Sequence, residues 1–151
     1  MSAIWAFLND TAKLRKALII YWCVVPAAFI AYALLTAGKL GLDFRAFLAD
    51  PTIALTFIIC CMMPIQVALL LLARRCNEHT EKAFAIFAGV QQLVVGNVLG
   101  ALLSYFLVRS LWWAPREPLG QPHRAVMLGG TALIGFLTLL TAVIGLRVLA
   151  S

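Results

Sequence analysis

From Ala83 to Val108 the chain reads AFAIFAGVQQLVVGNVLGALLSYFLV, 26 consecutive residues without a charged side chain. At about 1.5 Å of rise per residue, a helix of that length exceeds the roughly 20 residues needed to cross about 30 Å of hydrocarbon. Unbroken apolar character excludes a barrel strand, whose residues alternate over about ten positions. Three further runs share it: Ala17 to Ala37, Thr52 to Ala73 and Ala125 to Leu146, of 21, 22 and 22 residues. The sequence therefore predicts an all-α membrane protein, a four-transmembrane-helix bundle with short connections, as one domain over residues 1–151.

The composition points the same way. Hydrophobic residues make up 64% of the chain and charged ones 12%, with a mean hydropathy of +0.99. A soluble domain of this size could not keep so much apolar surface from water. The basic residues preceding the first run suggest a secretory signal, but its apolar stretch is longer than the roughly 7 to 15 residues of a signal's central region. It is expected to stay in the mature protein.

Four crossings would place both termini on one side, together with Lys13, Arg15, Lys16, Arg74, Arg75, Lys82 and Arg147. Lys39, Arg45, Arg109, Arg116 and Arg124 would lie on the other. Seven basic residues against five predict cytoplasmic termini in the inner (cytoplasmic) cell membrane. Trp112-Trp113 would then anchor the outer interface. The net charge of +6 suits anionic headgroups. Nucleic acid is not expected as a partner, because the cations are scattered singly at helix ends.

Asp50-Pro51 specifies the start of the second helix, with a capping carboxylate ahead of a proline at the first helical position. Leu40, Phe44, Phe47 and Leu48 follow the spacing of one helical face and predict a short interfacial helix. Ile4, Trp5, Phe7 and Leu8 suggest another on the opposite surface. Pro26 and Pro64 each remove a helical hydrogen bond near mid-span and are expected to kink their helices.

Small residues mark where helices approach closely in lipid. Thr131, Gly135, Thr138, Ala142 and Gly145 are spaced 4, 3, 4, 3 and draw one stripe. Gly89, Gly96, Gly100 and Ser104 draw another, with Gly96 and Gly100 as a GxxxG pair and Ala101 expected to point elsewhere. Both stripes are predicted packing surfaces, for the fold of one chain or for a homo-oligomer. Gln66, Gln91, Gln92 and Asn97 are the strongest polar groups at depth. Gln66, Gln92 and Asn97 could line a polar path, although interhelical hydrogen bonding is the commoner use. No ionisable group lies between the helix ends, which weighs against coupled transport.

Cys60-Cys61-Met62-Met63-Pro64 offers soft ligands. It resembles the first cysteine pair of mercuric transporters of the MerT type, which implies vicinal thiols receiving a thiophilic ion. As residues, Cys60 and Cys61 read first as packing groups, and no metal site or cofactor is expected. Cys76 and His79 form a C-x-x-H pair in a solvated turn, too few ligands for a site. Ser104 to Trp113, SYFLVRSLWW, resembles the helix-ending segment of GtrA-like flippases, and only the membrane exit is implied. No phosphate loop, zinc motif or nucleophile elbow occurs. The expected function is a non-enzymatic accessory, sensor or immunity-type subunit acting through helix–helix contacts with itself or another membrane protein. The alternative is an oligomeric channel or a transporter of small solutes or soft metals.

Overall fold

The computed structural model describes Leu8 and residues 10–115 and 121–150. The regular structure of the described residues is entirely α-helical: α1 (Thr11–Leu40), α2 (Phe44–Phe47), α3 (Pro51–Cys76), α4 (Glu78–Val94), α5 (Val98–Ser110) and α6 (Gln121–Ala150). Three helices are long and apolar enough to cross a membrane: α1, α3 and the stretch of α6 from His123 to Val148. Ile4, Trp5 and Phe7, and residues 116–120 of the last connection, lie outside the described residues.

The run from Ala83 to Val108 does not form one helix, so it is not the third of four straight spans. It stops at Val94, reverses through Val95, Gly96 and Asn97, and returns as α5. Gly96 sits at φ +79°, a left-handed conformation that side chains with a Cβ adopt only at a cost. Asn97 then caps α5, its Oδ1 accepting the Gly100 N–H at 3.1 Å. The two arms are antiparallel. A Cβ on Gly89 would lie 3.3 Å from the Ser104 Cβ, and Lys82 at the start of α4 reaches Trp112 just beyond α5. Arms of 17 and 13 residues span about 25 and 20 Å, each short of a full crossing.

This hairpin fixes which residues share an end of the bundle. The starts of α1, α4 and α6 and the ends of α3 and α5 lie together, and the end of α6 lies at the opposite pole with the α1–α3 connection. Lys13, Arg15, Lys16, Arg74, Arg75, Lys82, Arg109 and Arg124 therefore cluster at one end, against Lys39, Arg45 and Arg147 at the other. Trp112 and Trp113 belong to the basic end, not to the pole that four crossings would assign them.

Local signals account for most boundaries. Asp10 caps α1, and the Lys13 backbone N–H, 3.1 Å away, holds its carboxyl below the ordinary value. Asp50 Oδ1 accepts from the Thr52 and Ile53 N–H groups at 2.8 and 3.2 Å, as the Asp-Pro signal requires. Gly41, at φ +64°, ends α1 by returning its N–H to Ala37 and Gly38 carbonyls. Pro26 and Pro64 lie inside continuous helices. The short α2 is more than an interfacial stripe: Phe47 is buried against Ala33 and Ala37, and Phe44 meets Phe57 edge to face at 6.2 Å. Leu14, Leu18, Trp22, Met62, Leu70, Phe84, Leu107 and Ile134 form the core. Many large apolar side chains, among them Leu35, Val98, Leu139 and Leu146, face outward, as lipid contact demands.

Candidate functional site

Within the bundle, polar side chains from α1, α3 and the hairpin converge. Gln66 lies ten residues before Cys76, about 15 Å along α3, and so near the middle of that 26-residue helix. Its Nε2 donates to Gln91 Oε1 at 2.5 Å, and its Oε1 accepts from Gln92 Nε2 at 2.7 Å. Gln92 Oε1 in turn accepts from Asn97 Nδ2 at 2.5 Å, and the Tyr21 hydroxyl donates to Asn97 Oδ1. Gln66, Gln91 and Gln92 are buried, while Asn97 and Tyr21 are half-buried. The chain of amides thus ties the tip of the hairpin to α3 and α1. The three residues of the expected polar path are brought together, each turned towards the next.

A second polar contact holds the open end of the hairpin. Arg15 donates through Nε to Glu81 Oε1 and through Nη2 to Oε2 at 2.8 Å. Glu81 is 1% exposed, so its charge has exchanged water for this guanidinium. Such a two-pronged match suits arginine geometry. The sequence shows no spacing that links these residues, 66 positions apart, and the pair was invisible to motif reading. Tyr21 was missed for the same reason.

The glycine stripe of the third run divides. Gly89 and Ser104 face each other across the hairpin, and Ser104 Oγ bonds back to the Gly100 carbonyl. A Cβ on Gly100 would meet Gln92 Oε1 at 2.7 Å, so glycine here makes room for the amide chain. Gly96 belongs to the turn, with nothing within 4 Å of its Cβ position, and therefore forms no helical GxxxG pair. Ala101 points inward, 6% exposed, contrary to the expected outward placement.

On α6, Thr138 is buried with its hydroxyl on the Ile134 carbonyl and 3.9 Å from Met62 Sδ. Gly135 approaches Phe87, while Thr131 lines a groove near the basic end. Ala142 and Gly145 border a cleft of about 410 Å³ beside the hairpin tip. The tightest glycine on this helix is Gly130, outside the expected stripe, whose Cβ would lie 2.6 Å from Leu69 Cδ2. Cys60 is buried and its neighbour Cys61 exposed. Among the described residues no three His, Cys, Asp or Glu side chains gather as metal ligands.

Compared with protein-family models, curated proteins and solved structures, the chain gives no significant match to any. Its function is therefore argued from its own residues.

Proposed function

We propose that this chain is an integral membrane protein acting as a non-enzymatic accessory, sensor or immunity-type subunit through helix–helix contacts. The observation that carries this reading is the closed amide chain from Gln66 to Tyr21. Polar groups that bond one another stiffen a bundle and leave little to hydrate a permeating solute. The seam between the two arms of the hairpin adds a groove of about 220 Å³, its floor formed by the buried Ala85 and Ala101 with Gly89 and its rim by Tyr105. Small residues beside an aromatic suit a helix of a second copy or of another membrane protein.

The hairpin also revises the proposed orientation. With three crossings, eight described cations at one end against three at the other favour a cytoplasmic basic end in the inner membrane. The start of α1 then faces the cytoplasm and the end of α6 faces outward. The shared cytoplasmic face expected for both termini depended on a fourth crossing.

A second reading, an oligomeric channel or transporter, draws on the hairpin tip. Irregular backbone at membrane depth is tolerated where it is buried or borders a cavity, and Val95 and Gly96 of the turn line the 410 Å³ cleft. Reconstitution into liposomes separates the two. The accessory reading expects leakage of potassium, small neutral solutes and copper equal to that of empty vesicles. Saturable flux that Gln92→Leu abolishes would replace it with the second reading.

A further inference from the structure

A groove of about 320 Å³ opens between α4 and α6 at the basic end. Its upper wall carries His79, Thr80 and Arg124, and its floor carries Phe84, Phe87 and Met127. Thr80 is 5% exposed, yet its hydroxyl oxygen has no hydrogen-bond partner. A buried hydroxyl left unpaired is destabilising, a deficit that a ligand acceptor would remove. Neither Glu78 nor Glu81 lines the groove, and Glu81 is already bound by Arg15. The wall is thus cationic and donor-rich, above a trough of aromatic and thioether groups. Leu128, 61% exposed at its margin, leads from the trough to the lipid-facing surface.

We propose that this groove binds one bilayer phospholipid with a net-negative headgroup, its phosphate against Arg124, His79 and the Thr80 hydroxyl and an acyl chain along Phe84, Phe87 and Met127. A soluble anion would leave the trough empty, and a zwitterionic lipid would bring its own headgroup cation beside Arg124, where no carboxylate lines the groove to receive it. The site rests on the chain lying in a bilayer, and it holds for either functional reading.

The test uses the full-length protein in a mild non-ionic detergent, exchanged with phosphatidylglycerol or phosphatidylcholine, with retained lipids counted by native mass spectrometry. One phosphatidylglycerol should be retained in preference to phosphatidylcholine. Arg124→Gln should weaken retention by about tenfold or more, the scale of one charged hydrogen bond. Leu128→Trp, which narrows the trough while keeping every charge, should also reduce it. Arg45→Gln at the opposite pole should change nothing, and millimolar inorganic phosphate should not displace the lipid. Equal retention of both lipids, or undiminished retention in Arg124→Gln and Leu128→Trp, would overturn the proposal. Full displacement by phosphate would overturn it in favour of a soluble-anion site.

Discussion

Lys82 and Trp112, thirty residues apart, meet at one end of the bundle: the Lys82 ammonium donates to the Trp112 carbonyl at 3.0 Å and lies 4.6 Å from the indole centroid. Between them the chain has gone into the bundle and come back. That contact distinguishes a folded hairpin from a straight helix, which would hold the two residues about 45 Å apart.

The turn depends on two glycines for different reasons, and their substitutions should separate. Gly96→Ala meets no neighbour but must hold a left-handed backbone, a strain of about 1–2 kcal/mol. Gly100→Leu must displace Gln92 and should be several-fold more damaging to thermal stability in detergent. Leu102→Ala, at an outward position 47% exposed, is the neutral control. Equal tolerance at Gly96 and Gly100 would contradict the reversal.

Gln92 links α3 to the turn, so Gln92→Leu should leave Gln66 and Asn97 each short of a partner. A loss of roughly 1–3 kcal/mol is expected. In a double-mutant cycle with Gln66→Leu the two losses should not add, because both remove the same contact. Additive losses measured by denaturation would show that the amide chain is not a coupled unit.

Breaking the Arg15–Glu81 pair from one side strands a buried charge, at a cost of about 3–5 kcal/mol. Arg15→Leu alone should therefore destabilise more than Arg15→Leu combined with Glu81→Leu. The comparison is read as folded yield and melting temperature. A double variant no better than the Arg15→Leu single would assign Arg15 a role apart from neutralising Glu81.

On α6, Gly130→Val should drive into Leu69, and trimming Leu69 to Ala should restore part of the loss. Gly145→Ala should be accepted, since nothing lies within 4 Å of its Cβ position. Thermal melts of these variants and of Leu69→Ala alone test the pattern, and rescue failing at Gly130 would remove the close approach of α3 and α6.

Much of this architecture was readable because hydropathy is a local property. The apolar runs and the Asp50-Pro51 start follow from composition and spacing, whereas Gln66 meets Gln92 only through the packing of α3 on the hairpin, and Gln92 meets Asn97 across its turn. The fold of the third run does not follow from them either, because a straight helix and two antiparallel arms bury the same apolar residues in the same lipid. The distinguishing signals were there in short form. Gly96-Asn97 combines a residue suited to positive φ with a helix cap, and moving Arg109 and Arg124 to the basic end sharpens the charge asymmetry. The Arg15–Glu81 pair had no such trace, since only the packing of α1 on α4 brings those side chains together.

The most direct measurement is sidedness by cysteine labelling. In a background with Cys23, Cys60, Cys61 and Cys76 replaced by Ala, single cysteines are placed at Lys13, Leu42, Trp113 and Ala150 and challenged in intact cells with a membrane-impermeant thiol reagent. The hairpin predicts that Trp113→Cys behaves like Lys13→Cys, protected until the membrane is opened, while Leu42→Cys and Ala150→Cys are labelled from outside. Trp113→Cys labelled together with Leu42→Cys, with Ala150→Cys protected, would mean that residues 83–108 cross the membrane once and that the hairpin is wrong.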